Sequence, residues 1–512
     1  MDHQSTFLAL VDEIEAKFPV TDWRFGDVPA WPLARKTLYG NLFRQEDGRQ
    51  SYNTQSASGR RLSSRILRAL DYAATPITNV WRSRGNLHNL VLSPRRSEFL
   101  FLGDGTTIDQ IGGAGRDRYC DPLISHLQTG GHSTFLMQRG ESKYRTWSRP
   151  TFAANGIINR AHLAAPFGRI SPHSGDLEGH GQVLEFLDRK GVPTYELDVA
   201  SLSKVAASIS ASARGFERLL TKVRPSICFI VRYYVRMGHA FALACRRQGI
   251  LLVELQREGR GARHEAYHWY AVPEVGYSIL PGVFWTWTAD DAAAIDAWCR
   301  KLKHPWHRSL YGGHPQLSAW FDDNNSETIA ADARIRDICA RRSSDLDILV
   351  ALQSADGYDA TWNALATLIE ESPPSWRWWL RRHPATMHLG ARGLGRLLEI
   401  ESERVLIDEA SSLPLPALLR HVNAFVTLYS GAAVEASMFG LKPIFLLHNA
   451  AETYAHLIDN GRAEIIDDLR KLRERLAGIR GQPNNRYRQP SLVDVFARLQ
   501  EMAREYSVLN SE

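Results

Sequence analysis

The chain has 512 residues, of which 44% are hydrophobic and 23% charged, and this composition excludes a disordered or fibrous protein. The 62 Lys and Arg residues exceed the 56 Asp and Glu residues by only six, and this excess is spread along the whole chain, whereas nucleic-acid-binding proteins usually concentrate basic residues on one module. At about 150 residues per domain, the length predicts two or three domains, and the charge predicts no nucleic-acid partner.

Residues 1–88 are predicted to form an N-terminal helical and basic extension. Apolar side chains recur at helical spacing between residues 5 and 18, ahead of a tryptophan-rich segment that contains Trp31-Pro-Leu-Ala-Arg35. Residues 51–84 combine serines and arginines with a few leucines. This stretch is either a basic amphipathic helix that lies on an anionic membrane, or a solvated loop and surface helix.

The start of the sequence and its cysteines predict the compartment. The first residues carry no basic and apolar signal regions, and no window reaches the roughly 20 apolar residues that span a bilayer. The five cysteines are far apart and lack metal-ligand spacing, as is typical of buried thiols in a reducing compartment. We expect a cytoplasmic protein, in peripheral contact with the inner membrane if the arginine-rich stretch binds lipid.

From about residue 89, β-rich runs alternate with amphipathic helical runs, which predicts parallel sheets with crossover helices. One such domain is predicted over residues 89–322 and a second over residues 345–485, followed by a helix in residues 486–512 that packs back towards the first. The predicted strands are Phe99–Leu102, Thr194–Leu197, Ser226–Val231, Leu251–Leu255, Phe284–Trp287, Ile348–Leu352, Trp376–Leu380, Val405–Ile407, Ala424–Leu428 and Pro443–Leu447. Ligands of open α/β sheets bind beyond the carboxyl ends of strands, so residues that follow strands are the site candidates.

The strongest motif lies between the last two predicted strands. Ser430, Gly431 and Ala432 follow a buried strand and open a helix, where backbone amides, the helix dipole and the serine hydroxyl can hold a phosphate. Glu435 follows about one turn later, where its carboxylate can accept hydrogen bonds from ribose hydroxyls. The alternative is an ordinary strand-helix-strand unit with Glu435 on a solvated face.

A second motif follows the strand predicted at Trp376–Leu380. His383 comes directly after that strand, and Pro384 turns the chain because it lacks an N–H and disfavours helix at the preceding residue. The imidazole would then point into the cleft, with Arg382 beside it as a phosphate partner or a rim charge. A structural turn histidine is the alternative, since two further His-Pro pairs occur elsewhere in the chain.

These two motifs, His383-Pro384 and Ser430-Gly-Ala-Ala-Val-Glu-Ala436, closed by Gly440-Leu-Lys-Pro443, resemble the nucleotide-binding domain of GT-B glycosyltransferases of bacterial capsule and lipopolysaccharide synthesis. The resemblance implies an α/β, GT-B-like fold, in which two Rossmann-like domains face a central cleft. Similar motifs occur in bacterial sialyltransferases, Kdo transferases and polyol-phosphate transferases, which use cytidine-activated donors, so the resemblance implies a CMP- or CDP-linked donor, with a slight lean to a CMP-sugar. UDP-sugar 2-epimerases share a related Ser-Gly and Glu arrangement.

The first domain adds a resemblance of its own. Residues 249–259 resemble a capsule-transferase segment in which a strand runs into Gln-His-Gly. Gln256 and Gly259 match that segment, whereas Arg257 and Glu258 stand in place of its histidine. The resemblance places Gln256, Arg257 and Gly259 on the acceptor side of the cleft.

A general base for an acceptor hydroxyl has two candidates. Asp104 follows the strand at Phe99–Leu102, with Gly105 next to it, and Glu258 ends its own strand. A turn-forming Asp-Gly pair is the alternative for Asp104. No metal is expected, because the single Asp-x-Asp, Asp345-Leu-Asp347, begins a strand instead of ending one.

The predicted function is that of a metal-independent glycosyltransferase that needs no cofactor, since the nucleotide-sugar is its substrate. Its partners would be the nucleotide-sugar donor and a saccharide or lipid-linked saccharide acceptor in bacterial surface polysaccharide synthesis. Two alternatives stay open: a sugar-nucleotide epimerase or hydrolase on the same scaffold, and a non-catalytic polysaccharide-binding scaffold. An acceptor-dependent product would separate the transferase from the epimerase.

Overall fold

The computed structural model describes residues 3–46, 93–111, 114–139, 147–154, 157, 177–257, 264–353, 358–382, 394–400, 402–448, 450–481 and 489–510. Four candidate site residues, Glu258, Gly259, His383 and Pro384, lie outside the described residues, as does the arginine-rich stretch at 51–84.

The N-terminal segment forms two helices around a small hairpin. Its elements are α1 (His3–Lys17), β1 (Arg24–Phe25), β2 (Val28–Pro29) and α2 (Trp31–Glu46). Pro32 is tolerated as the second residue of α2, where its missing N–H would have no helical partner. Apolar residues of this segment, such as Phe7 and Trp23, share one core with Leu100 of the following domain. The helical extension is therefore built into the core of the first domain.

In the described part of the first domain, a seven-stranded sheet is accompanied by helices on its faces. Its elements are β3 (Phe99–Asp104), β4 (Ile108–Ile111), β5 (Ala114–Asp117), α3 (Cys120–Thr129), β6 (Thr134–Arg139), β7 (Thr151–Ala153), α4 (His180–Arg189), α5 (Val199–Val223), β8 (Ile227–Val231), α6 (Arg236–Arg247), β9 (Leu251–Leu255), β10 (Val283–Thr286), α7 (Ala289–Cys299), β11 (Arg308–Tyr311) and α8 (Pro315–Ser318). The strand order is β11-β10-β9-β8-β3-β6-β7, entirely parallel, while β4 and β5 pair as a separate antiparallel hairpin. The central strands are buried on both faces, which explains their nearly continuous apolar sequences.

The second domain contains a six-stranded parallel sheet. Its elements are α9 (Ser326–Ala340), β12 (Leu346–Ala351), α10 (Asp359–Glu371), β13 (Trp376–Arg381), α11 (Gly395–Leu398), β14 (Val405–Leu406), α12 (Asp408–Ser412), α13 (Leu415–Leu419), β15 (Ala424–Thr427), α14 (Ala432–Met438), β16 (Ile444–Phe445), α15 (Ala450–Thr453), α16 (Ala455–Ile458), β17 (Glu464–Ile465), α17 (Leu469–Ala477) and α18 (Leu492–Leu509). The order is β14-β13-β12-β15-β16-β17. Two parallel sheets with helices, preceded by a helical extension, confirm the predicted GT-B-like architecture.

The last helix contacts the first domain. The Phe496 ring lies 6.0 Å, between centroids, from each of Phe99, Phe229 and Trp285. Tyr506 packs edge-on against Trp306, with ring centroids 5.8 Å apart. The two ends of α18 are thus anchored by aromatic contacts to the sheet of the first domain.

One predicted strand is wrong. Residues Thr194–Leu197 form a loop, in which Glu196 adopts a left-handed φ of 57° and Tyr195 is 67% exposed. A left-handed residue interrupts an extended ladder, so this segment leads into α5 instead of pairing. In the two large sheets, β6, β7, β11 and β17 were not predicted, and neither were the small hairpins β1–β2 and β4–β5. The last predicted strand begins at Ile444 because Pro443 has no N–H to donate.

Each sheet has a topological switch point, where the strand order reverses. In the first domain the chain proceeds from β3 to β6 and β7 on one side and returns to β8 on the other; in the second, β12 leads to β13 and β14 before β15 returns beside β12. The crevices at such points are where ligands bind in open α/β sheets.

Among the described residues, no helix combines the length and apolar character required to cross a bilayer.

Gly312 lies in close contact with the Trp285 indole in the first domain. A Cβ at this position would lie 2.1 Å from the fully buried Trp285 indole, whereas a Cβ at Gly40, inside α2, would meet no atom within 4 Å. We expect Gly312→Ala to lower the free energy of unfolding by about 1–3 kcal/mol and Gly40→Ala to raise it by about 0.8–1.0 kcal/mol. Urea denaturation measures both changes; equal shifts of the same sign would contradict this packing.

Candidate functional site

The switch point of the second domain is organised by Gln353, which follows β12. Its side-chain oxygen accepts hydrogen bonds from the Tyr429 backbone N–H at 3.1 Å and from the Thr427 hydroxyl at 3.3 Å. The Tyr358 ring lies near Tyr429, with centroids 6.3 Å apart. These contacts connect the ends of β12 and β15 and orient the turn that continues into Ser430.

Ser430, Gly431 and Ala432 form the turn from β15 into α14. The Ser430 hydroxyl accepts from the Ala432 N–H at 3.3 Å, and its carbonyl accepts from the Ala433 N–H at 3.1 Å. Gly431 is exposed, and a Cβ there would lie 3.9 Å from the Tyr454 hydroxyl. The predicted phosphate turn therefore lies at the carboxyl edge of the sheet, and its serine closes the first turn of a short helix.

Glu435 is half-buried on α14, one turn beyond Ser430. Burial raises the pKa of this carboxyl to about 6, against the opposing attraction of Arg118 and Arg381, and Asp109 adds a smaller raising effect. Arg118 and Asp109 belong to the first domain and Arg381 to the second. The protonation of Glu435 is thus influenced by guanidinium groups from both domains.

Arg118 directly follows β5 and is held by Asp109 through two contacts, from Nε at 3.1 Å and from Nη2 at 2.5 Å. Burial has the largest single effect and disfavours its charged form, but the charge and hydrogen bond of Asp109, together with the charges of Tyr119 and Glu435, raise the pKa of Arg118 overall. The β4–β5 hairpin thus presents a fixed positive charge to the second domain. Sequence reasoning missed Arg118, although the run Arg116-Asp-Arg118-Tyr119 beyond a glycine-rich turn was a usable signal.

Arg381 is the last residue of β13. Its Nη1 donates to the carbonyl oxygens of Ala410 at 2.6 Å and Leu413 at 2.5 Å, while burial lowers its pKa. The predicted candidate Arg382 points elsewhere, since its Nη2 donates to Asp408 at 2.6 Å on an exposed rim. Among the described residues of this segment, Arg381 is the one whose charge acts on Glu435.

Asp104 lies at the switch point of the first domain, where Gly105 opens a short 3-10 turn. One carboxylate oxygen accepts from the Thr106 N–H and hydroxyl, both at 3.0 Å, and the other lies 3.0 Å from Arg139 Nη1 and 3.0 Å from Arg232 Nε. These four contacts occupy the carboxylate. The geometry favours Asp104 as an anchor for the two arginines over Asp104 as a proton acceptor.

Gln256 and Arg257 follow β9 but differ in role. The buried Gln256 amide donates to Asp291 at 3.0 Å and accepts from the Trp287 N–H at 2.8 Å, so it connects strands and a helix inside the domain. The Arg257 carbonyl accepts from the Tyr119 hydroxyl at 3.1 Å. Burial raises the pKa of the Tyr119 phenol, on which the charges of Arg118, Glu435 and Arg257 also act.

A cavity of about 360 Å³ opens beside Arg257. Its lining residues come from α2 and from the segments that follow β8 and β9, and they are Lys36, Tyr39, Arg232, Tyr234, Val235, Arg257, His264 and Glu265. Its volume falls within the range of about 300–1,000 Å³ that is usual for small-molecule sites. We call it the basic cavity.

The described residues contain no group of three or more His, Cys, Asp or Glu side chains arranged to hold a metal ion. The Asp347 carboxylate of the Asp-x-Asp accepts from the Trp379 indole N–H at 2.8 Å and from the Ser344 hydroxyl at 2.7 Å. Asp347 therefore fixes the start of β12 from inside the fold.

No protein-family model and no curated protein matches this sequence. Solved structures with some similarity include UDP-GlcNAc 2-epimerase from Neisseria meningitidis bound to UDP-GlcNAc, which is 12% identical, with 80% of this chain and 95% of that chain covered and a TM-score of 0.44. The Methanocaldococcus jannaschii enzyme in complex with UDP-GlcNAc and UDP is 11% identical, with 79% and 99% covered and a TM-score of 0.44. A spinosyn rhamnosyltransferase complexed with spinosyn aglycone is 13% identical, with 81% and 96% covered and a TM-score of 0.36. At these identities and TM-scores, the matches assign no residue role and no activity to this chain.

Proposed function

We propose that this protein is a glycosyltransferase that moves a sugar from a nucleotide-activated donor to a saccharide acceptor in bacterial surface polysaccharide synthesis. The observation that carries the proposal is the position of Glu435, half-buried near the switch point of one domain and under the charge of Arg118 from the other. Perturbed carboxyl groups beside specific charge partners are enriched at functional sites. The proposal places the protein in the cytoplasm, in peripheral contact with the inner membrane.

In this proposal the second domain holds the donor. Glu435 accepts hydrogen bonds from the ribose, and the Ser430 turn together with His383 and Pro384 binds the phosphate. The lean to a CMP-sugar rests on the motif resemblance alone. Arg118 and Arg381 would stabilise the charge that develops on the leaving phosphate, an electrostatic role that fixed guanidinium groups can fill without a metal ion.

The basic cavity supports transfer over epimerisation or hydrolysis of the donor. It lies in the first domain, and its volume of about 360 Å³ accommodates a second small molecule. An epimerase or hydrolase acts on the nucleotide-sugar alone and has no need of an acceptor. For the general base the proposal keeps Glu258, because the Asp104 carboxylate already carries four contacts.

Calorimetry with CMP, CDP, UDP and GDP tests the donor site. We expect one nucleotide class to bind, and Ser430→Ala and His383→Ala to weaken that binding by up to tenfold, since a neutral hydrogen bond contributes about 0.5–1.5 kcal/mol. Arg341→Gln, at an exposed position, is the control and should leave the affinity unchanged. If no nucleotide bound the unchanged protein, the donor site would be refuted and a non-catalytic scaffold favoured.

Product analysis with and without an oligosaccharide acceptor tests the reaction type. A transferase forms a new glycoside only when the acceptor is present. An altered or hydrolysed nucleotide-sugar formed equally fast without acceptor would support the epimerase or hydrolase and contradict the transferase.

A further inference from the structure

Gln353 lies at the switch point of the second domain, two residues beyond the end of β12 at Ala351. In the sheet, β12 pairs with β13 on one side and with β15 on the other, and its last residue is in register with Thr427 at the end of β15. Ligands of open α/β sheets bind beyond the carboxyl ends of the strands at such a point. A half-buried polar side chain here is therefore in position to contact a ligand.

The turn between β15 and α14 uses most of its own backbone N–H groups. Between residues 429 and 434, the N–H groups that donate within the fold belong to Tyr429, Ser430, Ala432, Ala433 and Val434. The described residues provide no acceptor for the Gly431 N–H, which is the one that remains. The backbone of the turn thus offers a ligand one donor, whereas a phosphate group has several acceptor oxygens. Further donors have to come from side chains.

The side-chain amide of Gln353 has a fixed orientation. Its Oε1 accepts from the Tyr429 N–H at 3.1 Å and from the Thr427 hydroxyl at 3.3 Å. A backbone N–H can only donate, so the atom that faces it is the oxygen, and the NH2 group lies on the other side of the amide. In the described part of the chain, Nε2 has no acceptor. Gln353 therefore presents a donor that is oriented before a ligand binds.

This donor lies next to the Ser430 turn. The Thr427 hydroxyl that contacts Gln353 also accepts from the Ser430 N–H at 3.3 Å, so one hydroxyl connects the glutamine amide to the turn. The Ser430 hydroxyl accepts from the Ala432 N–H at 3.3 Å, which leaves its own proton available to a ligand. Gln353 Nε2, the Ser430 hydroxyl and the Gly431 N–H are thus neutral donors around the same turn. An oxyanion with several oxygens can accept from all of them.

We propose that Gln353 Nε2 donates a hydrogen bond to a phosphate oxygen of the nucleotide in the second domain. The oxygen of the amide holds the turn and the nitrogen binds the ligand, so one side chain supplies the donor that the backbone of the turn does not. That the phosphate belongs to a nucleotide rests on the proposed function, whereas the orientation of the amide does not. The assignment adds a binding residue to Ser430 and Glu435.

Gln353→Glu tests the two halves of the amide separately. The carboxylate has the same shape and still accepts from the Tyr429 N–H and the Thr427 hydroxyl, so the variant should unfold at the same urea concentration as the unchanged protein. Its second oxygen replaces the NH2 donor with a negative charge. Calorimetry with CMP, CDP, UDP and GDP at constant ionic strength should show at least about a tenfold loss of affinity for whichever nucleotide the unchanged protein binds. Gln500→Glu, at an exposed position on α18, adds the same charge on another element and should lose none.

The matching nucleosides separate contact with the phosphate from contact with the base. Cytidine, uridine and guanosine lack a phosphate, so Gln353→Glu should bind them as the unchanged protein does, or neither protein should bind them measurably. A nucleoside affinity that falls by the same factor as the nucleotide affinity would assign the amide to the base and overturn the proposal. If Gln353→Glu does not fold, Gln353→Met, which keeps the length of the side chain without the amide, should lose several-fold in nucleotide affinity.

Equal nucleotide affinity in Gln353→Glu and Gln500→Glu would overturn the proposal, as would an unchanged affinity in a folded Gln353→Met variant. Either result would leave the donor site and the transferase in place, because the nucleotide would still bind. A selective loss in Gln353→Glu, combined with no acceptor-dependent product from the unchanged protein, would keep Gln353 as a phosphate-binding residue and refute the transferase. If no nucleotide bound the unchanged protein, both would be refuted.

Discussion

Glu435→Gln is expected to be more stable than the unchanged protein at pH 8 and equally stable at pH 4. The fold raises the pKa of Glu435 from 4.5 to about 6, so this group contributes fully to stability below pH 4.5 and loses that contribution as the pH rises through 6. A rise of 1.5 pKa units corresponds to about 2 kcal/mol. The glutamine has no charge to bury, so the variant should gain about that amount at pH 8. Urea denaturation at both pH values measures the difference.

The same variant is expected to bind the donor nucleotide less tightly. A hydrogen bond to a charged group contributes about 1.5–3 kcal/mol, so loss of the carboxylate charge should weaken binding by about 10- to 150-fold. Higher stability together with lower affinity is the pattern of a residue kept for function at a cost to the fold. The control is Glu501→Gln, a half-exposed glutamate on α18, which should change neither quantity. A Glu435→Gln variant that lost stability at pH 8 would show that its carboxylate is structural.

Glu15→Ala is expected to lower the free energy of unfolding by about 3–5 kcal/mol, the usual cost of removing one partner from a buried ion pair. The Glu15 side chain is fully buried and Arg35 almost so, and the two form an ion pair. The carboxylate also accepts from the Trp31 indole N–H at 2.8 Å and from the backbone N–H groups of Tyr270 at 2.9 Å and Ala271 at 2.8 Å. The substitution would leave a buried guanidinium without its counter-charge.

Thermal and urea denaturation followed by circular dichroism measure this loss. Glu13→Ala is the matched control, since Glu13 lies on the same helix and pairs with Lys17 and Lys190 at the exposed surface. We expect its free energy of unfolding to stay close to that of the unchanged protein, because ion pairs exposed to solvent contribute little to stability. Similar losses in both variants would contradict the assignment of α1 and α2 to the core of the first domain. Since Lys36 lies on α2, correct docking of this extension also positions one wall of the basic cavity.

The sequence predicted the elements well where the apolar pattern was local and strong. The strand at Leu251–Leu255 was predicted with its observed bounds, and the strand predicted at Trp376–Leu380 extends by one residue to Arg381. Failures occurred where distant contacts decide the structure. The short edge strand at Arg308–Tyr311 is half-buried and is held by its neighbour β10, so its own residues carry little strand signal.

In the candidate site, too, residues in a strong local pattern were predicted, whereas residues positioned by distant contacts were missed. Ser430 and Glu435 could be selected from the sequence because a buried strand, a small-residue turn and a helix follow one another within a few residues. Arg118 was missed despite the arginine run around it, because its electrostatic effect on Glu435 depends on a hairpin in the first domain and on the way the two domains face each other. Gln256 matched a motif, but its amide is used inside the domain, between Asp291 and Trp287.

By itself, the sequence determined that the chain forms two α/β domains after a helical extension, because hydrophobic periodicity and turn residues act over a few neighbouring positions. Only the tertiary structure decided the order of the strands, since that order depends on the sum of many contacts between distant segments. The order places β3 between β6 and β8 and so brings Asp104, Arg139 and Arg232 together. Charges that are far apart in the chain thereby meet around one cavity, because parallel strands direct their carboxyl ends to the same edge of the sheet.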